Sequence, residues 1–282
     1  MNTTQLVADL VSARLHARPL GWPASIPADL AAGYEAALAV RAQRIAGGER
    51  PRGYKVGFTN RTIWPRYEVY APIWGTVWED GLVFADDAGS ADVSGMPSGA
   101  LTLHGLCEPR IEPEIVFCLR EAPPAGCTLA QLAGCIAWLA HGYEIVHTHF
   151  PGWKFTAAQG VADGSLHGRL LVGPKVPVSA DSPPGALADD LAGLRVKLYG
   201  EGVLKDEGLG ANVLDGPLQA LLYFVEELRA LPGAPELQAG DLITTGTVTD
   251  AHPVKKGETW HTTLEGTGPL AAQLRGLQVR FT

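Results

Sequence analysis

The sequence predicts an α+β fold in which a small helical N-terminal region precedes a β-rich domain. Apolar residues recur every three or four positions over residues 3–17 and 27–46, the spacing of amphipathic helices. From Gly53 onward the chain changes to short apolar runs between turn residues, which is typical of strands. The 282 residues include 34 glycines and 21 prolines, a content that favours turns and strands over a helical bundle. We therefore place the helical region at residues 1–52 and the β-rich domain at residues 53–282.

Within the β-rich domain, apolar runs predict the individual elements. Residues 75–84 predict a hairpin around Glu79-Asp80-Gly81. Residues 129–141 predict a buried helix that ends at Gly142, and residues 217–231 predict a second helix with an apolar stripe. Strands are expected at residues 54–58, 111–119, 143–149, 170–178, 194–199, 242–248 and 278–282.

Composition excludes several classes of protein. The formal net charge of −8 argues against a binder of nucleic acids or anionic membranes, because both need a basic surface. No apolar run reaches the ~18 residues of a membrane span. The four cysteines contain no Cys-x-x-Cys pair, so neither a zinc ribbon nor a disulfide framework is expected. The N-terminal residues lack a basic start followed by an apolar run, so we expect a cytoplasmic protein.

Three carboxylates stand out in apolar surroundings. Glu112 and Glu114 alternate with apolar residues on a predicted strand, so both side chains should lie on the same face. Glu144 lies in the apolar stretch Tyr143-Glu144-Ile145-Val146, and charged residues are rarely buried unless they are paired or ligated. The three oxygen donors indicate a site for Mg²⁺ or Mn²⁺. The alternative is that Glu112 and Glu114 lie on a solvated face and that Glu144 pairs with a cationic side chain.

Two histidines and two lysines offer further candidates. His147 and His149 could bind Zn²⁺, but strand alternation turns them away from Glu144, which favours ordinary structural histidines. Lys55 lies inside an apolar strand, where it either takes part in proton transfer or extends its ammonium group to the surface. Lys154 could bind a substrate carboxylate or be an exposed lysine.

Several motifs, taken in chain order, resemble the fumarylacetoacetate hydrolase superfamily. The resemblance covers most of the chain and is strongest to the branch of 2-oxopent-4-enoate hydratases and 4-oxalocrotonate decarboxylases. It implies a β-rich mixed sandwich roll after the helical region. The matching segments are Tyr54-Lys55-Val56-Gly57-Phe58-Thr59, Ile111-Glu112-Pro113-Glu114-Ile115, Tyr143-Glu144-Ile145-Val146, Trp153-Lys154, Val161-Ala162-Asp163, Gly240-Asp241-Leu242-Ile243-Thr244-Thr245-Gly246-Thr247, and Pro253-Val254 with Gly257-Glu258.

The resemblance also implies roles for particular residues. Glu112, Glu114 and Glu144 match the metal carboxylates of the family, and Lys55 matches a lysine of its active site. In the family, Mg²⁺ or Mn²⁺ chelates a 2-oxo acid substrate and stabilises the enolate formed from it. Thr247 and Lys154 are then the expected substrate contacts. We also expect a homo-oligomer.

The chain departs from the hydratase branch at two places. It has His147-Thr148-His149 where the branch has Asp-Ser-Arg after the third acid, and Gly164-Ser165-Leu166-His167 where the branch has Asn-Ala-Ser-Ser. The second run lies near the substrate in the family. His167 is therefore a candidate for an acid/base group or a partner of a substrate carboxylate, with a structural histidine as the alternative.

The leading functional hypothesis is a metal-dependent hydratase of 2-hydroxy-2,4-dienoates or related 2-oxo acids, as used in the catabolism of aromatic compounds. A decarboxylase of a 2-oxo dicarboxylate such as 4-oxalocrotonate would share the enolate intermediate, so the metal site alone does not separate the two. An additional cationic contact for a second carboxylate would favour the decarboxylase. An acylpyruvate-type C–C hydrolase and a non-catalytic partner subunit are the remaining alternatives.

Overall fold

The computed structural model describes residues 3–21, 26–85, 95–179 and 184–282. It has helices and two mixed sheets, so the predicted α+β class is confirmed. The helices are α1 (Thr3–Leu15), α2 (Leu30–Ala46), α3 (Trp64–Tyr67), α4 (Leu129–Gly134), α5 (Ala157–Ala162), α6 (Pro184–Ala192) and α7 (Pro217–Ala230). The strands are β1 (Pro51–Gly57), β2 (Ile73–Trp78), β3 (Leu82–Phe84), β4 (Ser98–Leu101), β5 (Arg110–Leu119), β6 (Ile136–Val146), β7 (His167–Val172), β8 (Val176–Pro177), β9 (Arg195–Gly200), β10 (Val203–Leu209), β11 (Leu242–Thr244), β12 (His252–Pro253), β13 (Thr259–Glu265) and β14 (Gln278–Phe281).

The larger sheet has the strand order β2-β1-β11-β5-β6-β7-β3, with β12 added to β5 and β8 added to β6. Its two edge strands, β2 and β3, are consecutive in the chain and are joined only by the turn Glu79–Gly81. So short a connection cannot cross a flat seven-strand sheet, because a residue spans at most ~3.6 Å. The sheet must therefore curl until its edges approach each other.

The concave interior of the curled sheet holds an apolar cluster with contributions from five strands. Side chains two positions apart on a strand lie on the same face, so Glu112 and Glu114 continue the interior row of Val116 and Cys118. The opposite face of β5 carries Ile115 into the main core. The interior therefore changes from apolar to acidic along β5.

Two further layers cover the curled sheet. The smaller sheet, in the order β10-β9-β13-β14-β4, packs on it around a second apolar cluster that includes Tyr143, Trp260 and Phe281. Helices α4, α6 and α7 cover the main core, and the apolar face of α7 is fully buried there. Helices α1 and α2 pack against Phe150 and Ala162 through a separate cluster. Among the described residues, no helix combines the length and apolar character needed to cross a bilayer.

Two predicted elements are wrong. Residues 75–84 do not form a hairpin, because β2 pairs with β1 while β3 pairs in parallel with β7 at the other edge of the sheet. The predicted helix at residues 129–141 ends at Gly134, and Ile136–Val146 is a strand paired along β5. A short, wholly apolar run does not distinguish a buried helix from a buried strand by its periodicity. The predicted strand at residues 242–248 is shorter than expected and ends at Thr244.

Candidate metal and active site

The three carboxylates of the sequence analysis come together in the interior of the curled sheet. Glu112 and Glu144 are directly opposite each other on β5 and β6, and Glu114 follows two positions along the same face of β5. One oxygen of each carboxylate lies within 4.8 Å of the other two. Glu114 and Glu144 are fully buried and Glu112 is half-buried, so the alternative of a solvated acidic face does not describe this cluster.

Burial and mutual repulsion control the protonation of the cluster. Burial raises the pKa of Glu112 to about 7, although the positive charge of Lys55 opposes this shift. Burial also raises the pKa of Glu114 well above its ordinary value, and the charges of Glu144 and Glu112 add to the effect. Burial would raise the pKa of Glu144 too, but Lys55 and His167 outweigh it and lower that pKa. Without a cation, the site therefore holds its negative charge at a cost in free energy.

The donor set fits a hard divalent cation. The Glu114 Oε2 atom accepts a hydrogen bond from the backbone N–H of Gly246 at 2.8 Å, whereas its Oε1 atom is buried without a hydrogen-bond partner. A buried acceptor without a partner is destabilising, and a bound cation would satisfy it. All the clustered donors are carboxylate oxygens, which Mg²⁺ and Mn²⁺ prefer.

Lys55 reaches this cluster from β1. Its side chain is only 4% exposed, and its Nζ atom lies 3.2 Å from Glu144 Oε2. Burial alone would lower the pKa of Lys55, but the charges of Glu144, Glu112 and Glu114 reverse this effect and raise it. Lys55 is therefore a buried ammonium group that faces the carboxylates rather than the solvent.

His167 approaches Glu144 from the opposite side. It begins β7, and its Nδ1 atom donates a hydrogen bond to Glu144 Oε1 at 2.8 Å. Its Nε2 atom is buried without a hydrogen-bond partner. Burial lowers the pKa of His167 despite the neighbouring carboxylate, which favours the neutral form of the ring. Glu144 is thus held by a lysine at one oxygen and a histidine at the other.

A cavity of about 370 Å³ opens beside the cluster. Lys55 and Glu112 form part of its wall, and Thr247 contributes from the loop after β11. Aromatic rings form another part, with Phe58 and Tyr67 packed at 4.6 Å between ring centroids. The cavity therefore combines apolar surface with a few charged groups, as small-molecule sites commonly do.

Lys154, one of the two expected substrate contacts, does not line this cavity. The side chain of Lys154 is exposed, and the neighbouring Trp153 and Phe155 line the wall instead. The positive φ of 57° at Trp153 turns the chain at this point. Thr247 does line the cavity, while its Oγ1 atom accepts a hydrogen bond from the backbone of Thr249 at 3.3 Å.

The other histidines have partners of their own. His149 Nδ1 lies 2.6 Å from Asp163 Oδ1, and His147 Nδ1 accepts a hydrogen bond from the backbone N–H of Cys107 at 3.3 Å. His141 donates to the backbone oxygen of Glu114 at 3.0 Å. Within the described part of the chain, neither His147 nor His149 belongs to a group of three or more clustered metal ligands.

Two features of the site were not predicted from the sequence. One is the N–H group of Gly246, which binds Glu114 and depends on a loop conformation. The other is Arg110, which lines the cavity two residues before Glu112. Strand alternation could have placed Arg110 on the same face as Glu112, because 110 and 112 have the same parity.

The chain is similar to known proteins in family, sequence and structure. The family model for the fumarylacetoacetate (FAA) hydrolase C-terminal domain matches residues 89–275. A 2-hydroxyhexa-2,4-dienoate hydratase of Comamonas testosteroni is 28% identical over 85% of this chain and 84% of its own length. A 4-oxalocrotonate decarboxylase of a Pseudomonas species is 27% identical over 83% of each chain.

Solved structures share the fold. A 4-oxalocrotonate decarboxylase from Pseudomonas putida G7, complexed with magnesium and adipate, superposes with a TM-score of 0.80. It is 23% identical, and the match covers 100% of this chain and 99% of the other. A fumarylpyruvate hydrolase from Pseudomonas aeruginosa in complex with Mn²⁺ and pyruvate has a TM-score of 0.54 at 15% identity, over 82% and 89% of the two chains. At these identities the likeness establishes the fold.

Proposed function

The chain belongs to the fumarylacetoacetate hydrolase family, and from that premise we propose that it is a divalent-metal-dependent hydratase of 2-hydroxy-2,4-dienoates or related 2-oxo acids. The observation that carries the proposal is the carboxylate cluster beside a cavity, with an ammonium group 3.2 Å from one carboxylate. Relatives named as hydratases support the reaction class. Their names also fit a role in the catabolism of aromatic compounds.

In this proposal, Glu112, Glu114 and Glu144 hold Mg²⁺ or Mn²⁺. When bound, the cation supplies a Lewis acid that stabilises negative charge on the substrate's 2-oxygen. Glu112 lies on the cavity wall, while Glu114 and Glu144 are fully buried behind it. The interior of the curled sheet therefore fixes two carboxylates rigidly and leaves one beside the substrate.

Lys55 is the proposed catalytic group. Its ammonium lies on the cavity wall and is held in place by Glu144, so it can face the substrate carboxylate or enolate without a conformational change. As a proton donor close to that charge, it can exchange a proton with the substrate during ketonisation and water addition. Thr247 can donate a hydrogen bond to the substrate from the loop after β11.

His167 is proposed as a positioning residue. It donates to Glu144 and does not line the cavity, so its contact with the reacting atoms would be indirect. Partners of metal ligands fix the orientation of the ligand and raise its basicity. This role differs from the acid/base function expected from the sequence, and the structure supports the positioning role because Nδ1 is engaged with the carboxylate.

Decarboxylation of a 2-oxo dicarboxylate is the second candidate. It is favoured by the relative named 4-oxalocrotonate decarboxylase, which matches over the same share of the chain as the hydratases do. A panel of 2-hydroxydienoates, oxalocrotonate and acylpyruvates, each with Mg²⁺ or Mn²⁺, separates the candidates. Loss of dienoate absorbance without CO₂ release supports the hydratase, whereas CO₂ release favours the decarboxylase. Cleavage of acylpyruvates would indicate a C–C hydrolase, and no turnover would leave the non-catalytic alternative.

The oligomeric state of the protein and its cellular compartment remain predictions from the sequence. We propose a homo-oligomer in the cytoplasm, as expected from the sequence. Analytical ultracentrifugation of the purified chain tests the first statement, and cell fractionation tests the second. A sedimentation coefficient that matches a single chain of 29.8 kDa at micromolar concentration would contradict the homo-oligomer.

A further inference from the structure

The loop between β11 and β12, residues 245–251, forms one wall of the cavity and is called the cavity loop below. Its residues on the cavity side are Gly246, Thr247, Thr249, Asp250 and Ala251. The backbone N–H of Thr245 donates to the Ile115 carbonyl at 3.2 Å, and that of Val248 donates to the Pro113 carbonyl at 3.0 Å. These bonds hold the first half of the cavity loop against β5, the strand that carries two of the carboxylates.

The second half of the cavity loop is bound from another side, by Asp206 on β10 of the smaller sheet. Asp206 Oδ2 accepts one hydrogen bond from the backbone N–H of Asp250 at 2.9 Å and another from His252 Nε2 at 2.9 Å. Its Oδ1 atom accepts a third from the backbone N–H of Glu207 at 2.8 Å. Burial would raise the pKa of Asp206, but these hydrogen bonds outweigh it and lower that pKa. The carboxylate is therefore ionised at neutral pH and binds three donors.

The direction of the Asp206 side chain depends on a bulge in β10. The bulge lies between Leu204 and Asp206 and leaves Asp206 opposite Leu198 of β9. Leu198 belongs to the second apolar cluster, so Asp206 points to the inner face of the smaller sheet. Gly208 follows on the same face, where an added Cβ would come within 2.0 Å of the Val248 carbonyl oxygen. A carboxylate on an inner face is costly unless it is hydrogen-bonded, and bulges often redirect a side chain beside a functional site.

The position of Asp250 is linked to that of Thr247 by a short turn. The backbone N–H of Thr249 donates to Thr247 Oγ1 at 3.3 Å, so the hydroxyl group of Thr247 keeps its own proton for another acceptor. Asp250 is the next residue after Thr249. Because Thr247 is the proposed hydrogen-bond donor to the substrate, the direction of this donor depends on where Asp250 is held.

We infer that Asp206 is a positioning residue, which binds the backbone of Asp250 and the ring of His252 and thereby holds the hydroxyl group of Thr247 towards the substrate. Asp206 does not line the cavity, so it acts through the cavity loop. The inference rests on the proposed function, because it takes Thr247 as a substrate contact. The bonds from the first half of the loop to β5 do not involve Asp206, so metal binding should not depend on it.

Calorimetric titration of the Mn²⁺-loaded protein with 2-oxopentanoate tests the inference. Asp206→Ala should raise the Kd of this 2-oxo acid about tenfold, because a hydrogen bond to a charged ligand is lost, and should change the Kd of Mn²⁺ less than about twofold. Thr247→Val removes the hydroxyl group itself and should raise the Kd of 2-oxopentanoate to a similar extent. If Asp206 acts through Thr247, the double variant should bind no more weakly than Thr247→Val alone.

Glu207→Ala is the matched control. Glu207 is the next residue of β10, and its exposed side chain pairs with Arg195 at 2.6 Å, away from the cavity. Its loss should leave the Kd values of 2-oxopentanoate and Mn²⁺ as in the wild type. His252→Gln keeps an N–H donor for Asp206 and should retain most of the affinity for 2-oxopentanoate, whereas His252→Leu should lose part of it.

The outcomes separate the inference from the function on which it rests. If Asp206→Ala binds 2-oxopentanoate as tightly as the wild type, or if the losses in the double variant are additive, the positioning role is overturned while Mn²⁺-dependent binding by the wild type upholds the proposed function. An equal loss of Mn²⁺ affinity in Asp206→Ala would also overturn it, since the whole site would then depend on Asp206. No binding by the Mn²⁺-loaded wild type would overturn the proposed function and the inference with it. If Asp206→Ala does not fold, His252→Leu combined with Thr247→Val provides the same comparison.

Discussion

The Nζ atom of Lys55 lies 3.2 Å from Oε2 of Glu144, although two strands separate their own strands in the sheet. Only a curled sheet allows β1 and β6 to direct side chains at the same point. With Glu112 and Glu114 also ionised, the cluster carries three negative charges and one positive charge. The two uncompensated negative charges match a divalent cation, so charge balance as well as donor type favours metal binding.

The first prediction concerns the metal. Glu114→Gln should abolish the rise in Tm that Mg²⁺ or Mn²⁺ causes in the wild type, because the amide offers a weaker ligand and no charge. At a cation concentration of about 100 Kd the wild type should gain roughly 2.7 kcal/mol of stability. Differential scanning fluorimetry measures the shift, and Glu226→Gln on the exposed side of α7 is the matched control. An equal metal-induced shift in Glu114→Gln would remove Glu114 from the ligand set.

The second prediction concerns pH. Folding raises the pKa of Glu112 from 4.5 to about 7. Between pH 4.5 and about pH 7, the Glu112 carboxyl group therefore keeps a proton in the folded state that it has released in the unfolded chain. The metal-free protein therefore loses stability as pH rises through this window. Protons compete with the cation for the same oxygens, so the metal-induced rise in Tm should be larger at about pH 8 than at about pH 5.5. A shift that is constant across this range would contradict the raised pKa of Glu112, and Glu112→Gln should reduce the pH dependence to the part that Glu114 contributes.

Strand alternation was sufficient to place Glu112 and Glu114 on one face, because that relationship is local. It could not give the register that sets Glu112 opposite Glu144, since pairing between β5 and β6 depends on residues far apart in the chain. The same limitation explains the error at residues 129–141. A run that is apolar throughout fits a buried helix and a strand equally well, and only the partner strand decides between them.

Side-chain direction in irregular segments was the least predictable feature. Lys154 follows Trp153 in a motif of the family, yet the turn at Trp153 leaves Lys154 exposed and brings the rings of Trp153 and Phe155 to the cavity. No periodicity applies in such a turn. By contrast, Lys55 lies in a regular strand flanked by buried residues, and its burial follows directly from that position.

The third prediction separates binding from chemistry at Lys55. Lys55→Met should lower kcat by about a hundredfold or more, because it removes the proposed proton donor and keeps the volume of the side chain. The variant should still bind Mn²⁺, since the three carboxylates remain and lose only their competing ammonium partner. Steady-state kinetics and Mn²⁺ binding followed by electron paramagnetic resonance provide the two readouts. A loss of both metal and activity would indicate that Lys55 acts mainly on the structure of the site.

The fourth prediction tests His167 as a positioning residue. His167→Leu removes the hydrogen bond to Glu144 Oε1 and should weaken Mn²⁺ binding by about 10- to 100-fold. His167→Asn keeps an N–H donor of similar reach and should restore most of this affinity. If His167 were instead an acid/base group, His167→Asn would lose as much activity as His167→Leu while both variants bound the metal normally. The metal Kd and kcat of the two variants together distinguish these roles.

The last prediction concerns Gly246, whose N–H group donates to Glu114 Oε2 at 2.8 Å. Its φ of +99° favours glycine, and an added Cβ would come within 1.9 Å of Thr59 Oγ1. Gly246→Ala should therefore destabilise the protein by more than about 2 kcal/mol, because the clash with Thr59 adds to the backbone strain. It should also weaken Mn²⁺ binding, because the loop must move away from Glu114.

Gly257→Ala is the matched control for this variant. Gly257 has a similar φ of +92°, but nothing lies within 4 Å of its added Cβ. It should lose only about 1 kcal/mol from backbone strain and should bind Mn²⁺ like the wild type. Urea unfolding gives the two stabilities, and calorimetry gives the metal affinities. If the two variants behave alike, contact with Thr59 does not fix the loop, and the hydrogen bond from Gly246 has no measurable part in holding Glu114 for the metal.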